Sequence, residues 1–374
     1  MLRFNKDGKF KIMQITDTQE VPSVSKDTIS LIENALDKEN PDLVVFTGDQ
    51  IKGYSSKYKN RVDLIARTID ILVAPIVKRN IPFMVTYGNH DAQAGLSNYE
   101  QYEKVYSKYP NFISGNIRTS HDVGTSDIQI KSSDGTKNLF NLYLIDSHSN
   151  AASGRGYAPV NKHQIDWYIS ERERLKKENG DYLPSLVFQH IPVPEFYDGL
   201  KQTKKSAVGA VEAYGLHENE FYVLNEKSLK EGGFMGESPA TPDVNTGEFD
   251  AMAQKGDVIG IYVGHDHNNS FVTNVRGVDL GYTQGCGFNV YGPGENRGVR
   301  VIELNENEPR KYTTRTVTYK EVCNTPISTP VQEFVYKHAP TSIRKAKPLI
   351  LKTVAVVAAC GVAYGVYKHY KNKG

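Results

Sequence analysis

Cysteine is scarce in this sequence, and its scarcity excludes two classes of protein. The three cysteines, Cys286, Cys323 and Cys360, lie far apart and form no CxxC pair. Disulfide-rich secreted domains carry an even set of cysteines, and zinc–thiolate sites carry them in closely spaced pairs. The sequence therefore predicts neither a disulfide framework nor a cysteine-ligated zinc site, and it favours a reducing, cytoplasmic compartment.

An excess of charge of either sign is also missing. The 374 residues include 45 basic and 43 acidic side chains, which leaves a formal net charge of +2. Domains that bind nucleic acid usually carry a strong positive excess. We therefore expect no nucleic-acid partner, although this balance does not exclude a local basic patch.

A long apolar run is absent near residue 1 but present near residue 374. No apolar core follows the basic residues of "MLRFNKDGKFKIMQITD", so we expect no signal peptide. Residues 349–367 are apolar except for Lys352, and roughly 17–25 such residues suffice to span a bilayer. They predict a transmembrane helix that anchors the protein to a membrane, with the catalytic part in the cytoplasm. The alternative is a hydrophobic helix docked on that part, although such a helix should keep a polar stripe.

Composition divides the chain into regions. The stretches "CNTPISTPVQEF" and "KHAPTSIRKAKP" hold four prolines and few large apolar residues, which is typical of a linker. The length allows one large folded domain with appendages. We predict a catalytic domain at 1–320, a linker at 321–348, a transmembrane helix at 349–367 and a basic tail at 368–374.

Apolar runs and amphipathic stretches alternate along the first quarter of the chain. Strands are predicted at "FKIMQIT", "DLVVFTGD" and "PFMVTYGNHD". Helices are predicted between them at "SKDTISLIENALDKEN" and "RVDLIARTIDILVAPIVKRN", the second of which Pro75 should kink or divide. This alternation indicates an α/β fold with a mainly parallel, doubly wound sheet. Later strands are predicted at "NLFNLYLIDSH", "SLVFQHIP", "DVIGIYVGHDH" and "SFVTNVRGVDLGY", whereas residues 194–256 predict loops over the sheet edge.

Side chains that bind metals follow the apolar strands, where each strand ends. Strands of one direction deliver their carboxyl ends to one edge of a sheet, so distant residues can converge there. The candidates are Asp17, Gln19, Asp49, Asn89, His90, Asp91, His190, His265 and His267. Carboxylates, an amide and imidazoles suit Mn, Fe, Zn or Co better than Ca. Their number exceeds the needs of one ion and predicts two ions that share a carboxylate.

Each candidate has an ordinary structural alternative. Asp17 could cap a helix, His190 could be a hydrogen-bonded core histidine, and Asp49 in "GDQ" could belong to a turn. The motif "GHDH" is more specific, because histidines two residues apart at a strand end can enter one cleft. The recurrence of such residues after successive strands favours a metal site over these alternatives.

The ordered motifs "DTQ", "GDQ", "GNHD", "QHIP" and "GHDH" resemble those of the calcineurin-like metallophosphoesterase superfamily. The pattern of that family is D-x-H, G-D, G-N-H-D/E, H and G-H-x-H, and the resemblance covers roughly residues 9 to 305. Its later parts resemble the branch with fungal and plant phosphatases akin to purple acid phosphatases. The resemblance implies a β-sandwich flanked by helices (αββα), which in this chain would be followed by the C-terminal hydrophobic helix.

The resemblance also implies roles for the metal-binding residues. Asp17 and His267 would bind the first metal, Asp49 would bridge both, and Asn89, His190 and His265 would bind the second. Gln19 stands where the family usually has histidine, and its amide would either offer its oxygen as a weak neutral ligand or hold a metal-bound water instead. We therefore expect a weaker first site or a harder ion there, such as Mn²⁺ or Fe²⁺, and leave the metals as Mn, Fe or Zn.

The implied chemistry is hydrolysis of a phosphate ester. A metal-bridging hydroxide would attack phosphorus in line, while His90 faces the phosphate and helps the leaving group, with its imidazole held by Asp91. The leading prediction is a phosphomonoesterase whose substrate is a phosphorylated small molecule or protein. The alternatives are a phosphodiesterase or nuclease on the same fold, and a catalytically weak metal-binding scaffold.

Overall fold

The computed structural model describes residues 1–58, 61–119 and 122–338. The helices are α1 (Lys26–Glu39), α2 (Val62–Lys78), α3 (Asn98–Lys104), α4 (Lys162–Asn179), α5 (Glu248–Ala253), α6 (Tyr319–Val322) and α7 (Pro330–His338). One compact unit runs from Met1 to Ser328, and a second begins at Thr329. Of the second unit, the described part contains α7.

The strands belong to three sheets. In chain order they are β1 (Leu2–Arg3), β2 (Lys9–Ile15), β3 (Leu43–Thr47), β4 (Phe83–Thr86), β5 (Asn116–Ile117), β6 (Ser126–Lys131), β7 (Asn138–Leu144), β8 (Ser185–Phe188), β9 (Leu200–Thr203), β10 (Val211–Glu212), β11 (Phe221–Leu224), β12 (Leu229–Met235), β13 (Val258–Val263), β14 (Asn269–Val275), β15 (Val278–Tyr282), β16 (Gly298–Asn305) and β17 (Tyr312–Thr318). The five-stranded sheet has the order β17-β16-β2-β3-β4, in which β2, β3 and β4 are parallel. The nine-stranded sheet has the order β1-β6-β7-β8-β13-β15-β14-β12, with β5 paired to β6, and β10-β11-β9 form a small third sheet.

The two large sheets and the helices form layers around separate apolar clusters. In β2, Phe10 and Ile12 belong to the cluster shared with residues of the nine-stranded sheet, whereas Met13 and Ile15 pack with residues of α1 and α2. This alternation follows from the two-residue period of a strand. A third cluster joins the other face of the nine-stranded sheet to α4 and α5, for example through Tyr168 and Phe249. The predicted α/β fold with several sheets and flanking helices is confirmed.

Long apolar segments fold as the sequence predicts, and polar ones do not. β2, β3, β4, β7, β8, β13, β14 and β15 all lie within the predicted strand segments or within one residue of them. Helix α2 runs through Pro75 and ends three residues later, so the proline does not divide it, and the alternative of a kink stays a prediction. The expected loops at 194–256 are also wrong, because this stretch contains the small sheet, β12 and α5.

The predicted membrane anchorage is corrected by the helices that the structure describes. Among the described residues, no helix is both long enough and apolar enough to cross a membrane. The predicted transmembrane helix at 349–367 and basic tail at 368–374 lie outside the described residues, as do residues 339–348 of the predicted linker. The C-terminal hydrophobic helix of the predicted fold therefore has no support in the described part of the chain.

Candidate metal centre

The carboxyl ends of five strands deliver the predicted site residues to one place. In the five-stranded sheet, Asp17 and Gln19 follow β2, Asp49 follows β3, and Asn89, His90 and Asp91 follow β4. In the nine-stranded sheet, His190 follows β8, and His265 and His267 follow β13. The two groups of strand ends meet at hydrogen-bonding distance, as in the 2.8 Å bond from the backbone amide of His265 to Oδ2 of Asp17.

Backbone strain is concentrated at this place. Four of the nine non-glycine residues with positive φ in the described chain are predicted site residues, with φ of 51° at Asp17, 36° at Gln19, 54° at Asp49 and 75° at His265. A left-handed backbone costs a residue with a side chain roughly 1–2 kcal/mol. Such strain persists only where the surrounding structure enforces it, and it is typical of functional sites.

Two glycines let the strand ends approach each other closely. A Cβ on Gly88 would lie 2.2 Å from Oδ1 of Asp49, and a Cβ on Gly48 would lie 2.6 Å from Nδ1 of His190. Gly48 also has a φ of 96°. The glycines of "GDQ" and "GNHD" are therefore required by the packing of neighbouring site residues.

We call Asn89, His190 and His265 the second metal position. The Nδ1 of His190 lies 2.9 Å from the carbonyl oxygen of Thr47, so Nδ1 carries the proton and donates it. This leaves Nε2 of His190 facing the site, 3.4 Å from Oδ2 of Asp49 and 3.2 Å from Nδ1 of His265. Such a backbone partner fixes the tautomer and orientation that a ligating histidine needs.

We call Asp17, Gln19 and His267 the predicted first metal position; Oδ2 of Asp49 contacts Gln19 of this position and His190 of the second. The Nδ1 of His267 lies 2.8 Å from the carbonyl oxygen of Tyr291, which again leaves Nε2 for the site, 3.2 Å from Oδ1 of Asp17. Oδ2 of Asp17 accepts a hydrogen bond of 2.7 Å from the hydroxyl of Thr16.

Gln19 points its amide nitrogen, rather than its oxygen, at the neighbouring site residues. Nε2 donates to Oδ2 of Asp49 at 2.8 Å and lies 3.3 Å from Nε2 of His267. The hydroxyl of Tyr54 donates to Oε1 of Gln19 at 3.2 Å. The predicted role of Gln19 as a metal ligand through its oxygen thus stays a prediction that would require the amide to turn.

His90 lies at the rim of the site, where its side chain is 26% exposed. Its Nε2 is 3.9 Å from Oδ2 of Asp49, and its ring packs edge-on against Tyr54 with centroids 4.6 Å apart. Its Nδ1 lies 2.8 Å from Oε1 of Gln93. Since an amide oxygen can only accept, Gln93 places a proton on Nδ1.

Asp91 has a different role from the predicted one. Its carboxylate accepts hydrogen bonds from the backbone amides of Asp49 and Gly88, both at 2.8 Å, and from that of Ile51 at 3.2 Å. Asp91 therefore ties the two strand ends together, and the residue that contacts the imidazole of His90 is Gln93 and not Asp91 as predicted. No sequence signal marked Gln93, because it is an amide in a short 3₁₀ turn after the motif.

Electrostatics favour positive charge at the centre. Burial alone would raise the pKa of Asp49, but His190 and His90 more than offset this and hold that pKa far below its usual range. Burial would lower the pKa of His190, yet Asp49 and Asp17 raise it to about 10. His265, in contrast, has its pKa lowered to about 3 by burial and by the charge of His190. Two buried carboxylates thus attract cationic charge into a small space.

The residues fit a metal ion by geometry as well as by chemistry. Ligand atoms of Asp17, Asp49 and His190 lie within 4.8 Å of one another. Within the described part of the chain, Oδ1 of Asp17 and Oδ1 of Asn89 are buried and accept no hydrogen bond. A buried polar oxygen without a donor is costly, and a divalent ion would satisfy both. The prediction that the protein uses divalent metals is supported, whereas the identity of the metals stays open.

The sequence and fold match known phosphoesterases. The family described as calcineurin-like phosphoesterase matches residues 10–269. "Probable inactive purple acid phosphatase 14" of Arabidopsis thaliana is 31% identical, over 81% of this chain and 77% of that protein. "Phosphatase DCR2" of Saccharomyces cerevisiae is 28% identical, over 82% of this chain and 53% of that protein. A dimetal phosphatase from Danio rerio shares the fold, with a TM-score of 0.51, 14% identity and coverage of 83% of this chain and 99% of that one.

These comparisons confirm the predicted family and, with it, the prediction of a phosphatase-like hydrolase. The match spans all five strand ends that carry the site, from β2 to the histidines after β13. This chain belongs to the calcineurin-like phosphoesterase family.

Proposed function

We propose that this protein is a metal-dependent phosphomonoesterase acting on a phosphorylated small molecule or protein. The observation that carries the proposal is the convergence of buried carboxylates, an amide and imidazoles at five strand ends, with unsatisfied ligand oxygens among them. In the proposal Asp49 is shared by the two metal positions defined above. Oxygen and imidazole donors of this kind suit Mn, Fe or Zn.

The metal ions and the residues of the chain divide the chemistry between them. When bound, divalent ions neutralise phosphate oxygens and lower the pKa of water toward neutrality, which supplies a nucleophile. The backbone carbonyls of Thr47 and Tyr291 keep the imidazoles of His190 and His267 oriented. The buried strand ends exclude bulk water from the ligands, which strengthens their electrostatic interactions.

His90 acts on the leaving group in this proposal. With Nδ1–H held by Gln93, the second ring nitrogen, Nε2, is the one that faces the site. In its protonated form His90 donates the Nε2 proton to the oxygen of the leaving alcohol. Its partial exposure at the rim leaves room for an ester group of the substrate.

Two other functions remain as alternatives. A phosphodiesterase or nuclease could use the same residues, although the near-zero net charge gives no support to a nucleic-acid substrate. A catalytically weak metal-binding scaffold is suggested by the names of two relatives from Arabidopsis thaliana, which are "probable inactive" purple acid phosphatases. For this chain, the complete set of ligand side chains other than Gln19 favours an enzyme.

A substrate panel tests the proposal. The full chain is stripped with chelator, reloaded with Mn²⁺ and assayed with p-nitrophenyl phosphate and bis(p-nitrophenyl) phosphate, and a chelated sample is the control. We expect metal-dependent hydrolysis with a clear preference for the monoester. A preference for the diester would establish the first alternative, and metal binding without hydrolysis of either ester would establish the second.

A further inference from the structure

The contacts of the Gln19 side chain with its neighbours fix one orientation of its amide group. It is 3% exposed, so water cannot replace its partners. A carboxylate only accepts hydrogen bonds, so the group that faces Oδ2 of Asp49 at 2.8 Å is the amide nitrogen. Nδ1 of His267 donates to the carbonyl of Tyr291, and the amide nitrogen of Gln19 lies 3.3 Å from Nε2 of the same ring.

The atoms that the Gln19 amide contacts carry the lone pairs that a cation in the first position would need. Asp49 would offer Oδ2 and His267 would offer Nε2, and both already face one amide group. An ion can use them only after the amide moves aside. At the second position, the nitrogens that face each other at 3.2 Å are Nε2 of His190 and Nδ1 of His265, which are both proposed ligands, so neither side chain has to leave for an ion to bind.

Tyr54 holds the amide in this orientation. Its hydroxyl donates to Oε1 of Gln19 at 3.2 Å, and its ring packs against His90 with centroids 4.6 Å apart. The backbone of Gln19 is fixed as well, because its amide donates to the carbonyl of Asp49 at 2.8 Å. Only rotation of the side chain can therefore open the first position, and that rotation breaks the bond to Tyr54.

We propose that Gln19 and Tyr54 form a displaceable plug in the first metal position, so that the protein binds one ion tightly and another weakly. The inference rests on the proposed function, because it takes from it the assignment of Asp17, Asp49 and His267 as ligands. The weak ion enters when the Gln19 amide turns away and brings its oxygen toward the ion. Occupancy of the first position then depends on the free concentration of the divalent metal.

Stoichiometry at controlled free Mn²⁺ tests the proposal without any measurement of activity. The chelator-stripped full chain is titrated with Mn²⁺ by calorimetry, and the bound metal is counted after gel filtration at each free concentration. Paramagnetic resonance distinguishes an isolated Mn²⁺ ion from a spin-coupled pair. We expect two binding phases, with dissociation constants separated by about a hundredfold, since outer partners of a metal site change affinity by roughly 10–100-fold.

Two variants remove the plug in different ways. Gln19→His supplies an imidazole in place of the amide, and we expect the weak ion to tighten by about a hundredfold so that the spin-coupled pair forms at low metal. Tyr54→Phe removes one hydrogen bond and keeps the ring against His90, so we expect about a tenfold tightening, which corresponds to the net value of one hydrogen bond. Gln202→His, at an exposed position on β9, controls for metal binding by an added imidazole elsewhere.

The outcomes separate this inference from the proposed function. Two ions with equal affinities in the natural protein, unchanged in both variants, would overturn the plug and leave the phosphoesterase proposal intact. No bound metal at all would overturn the proposed function itself. If circular dichroism shows that Gln19→His does not fold, the inference is tested by the two Mn²⁺-binding phases of the natural protein and by their shift in Tyr54→Phe.

Discussion

The two metal positions on either side of Asp49 contain similar ligand atoms, but these atoms have different hydrogen-bond partners. At the second position, a backbone carbonyl orients His190, and the buried Oδ1 of Asn89 has no donor among the described residues. At the first position, Gln19 donates to Asp49 and contacts His267, so its amide group occupies a ligand atom of each. Both positions contain residues with a strained, left-handed backbone. A backbone carbonyl orients a histidine at both positions, but only at the first does the amide of Gln19 occupy ligand atoms of its neighbours.

Replacing Asp49 by asparagine should break both positions and have the largest effect. Asparagine tolerates the φ of 54° at this place, so the fold should survive while the shared negative charge is lost. We expect activity to fall at least about a thousandfold, in the range of lost electrostatic stabilisation at an active site, together with both ions. Metal analysis and steady-state kinetics measure the effect. Retention of one tightly bound ion in Asp49→Asn would show that Asp49 is not shared.

His90→Ala should leave both metal positions intact and still remove most of the catalytic turnover. Since His90 is assigned to proton transfer, we expect a loss of about 10²–10⁴-fold in kcat with unchanged metal content. His163→Ala, at an exposed histidine on α4, is the matched control. Loss of metal from His90→Ala would move this residue into the metal-binding set and would contradict its proposed role.

Gln93→Ala tests the same separation between proton transfer by His90 and metal binding, with a smaller expected effect. Without the Oε1 acceptor 2.8 Å from Nδ1, the imidazole of His90 loses its fixed orientation. We expect roughly a tenfold decrease in kcat with little change in KM and none in metal content, in line with other orienting partners. Gln93→Glu keeps an acceptor and should restore much of the rate. Equal losses in both variants would mean that the contact is only structural.

Gly48→Ala tests whether the second position depends on close packing. Its Cβ would meet His190 Nδ1 at 2.6 Å, and its φ of 96° disfavours any side chain. We expect the free energy of unfolding to fall by about 3–5 kcal/mol, as for a strained and overpacked buried site. Gly135→Ala, with a φ of 77° and open space around it, should cost only about 1–2 kcal/mol. Equal losses in urea denaturation would show that backbone conformation alone requires glycine at position 48.

Much of the site was predictable because each ligand stands directly after a buried strand. The runs "DLVVFTGD" and "DVIGIYVGHDH" carry both signals in one segment, an apolar strand and a polar ending. The small sheet at β9–β11 carried no such signal, because its strands are short and partly polar and depend on pairing with each other. The partners Gln93 and Tyr54 were also invisible, since hydrogen bonds between side chains depend on where the folded backbone places them. The sequence marked Gln19 as unusual, but its amide orientation follows only from Asp49, His267 and Tyr54 together.

The span of chain between Asp17 and His267 also governs when the site comes into being during folding. Its residues come from strand ends in two sheets, and 250 positions separate the first aspartate from the last histidine. Contacts between residues so far apart in sequence are slow to form, because a long loop must close before they stabilise anything. A nascent or partly folded chain can hold β2, α1 and β3 without possessing any centre at all. The proposed ligands of the two sheets therefore come together only after the sheets have docked on each other.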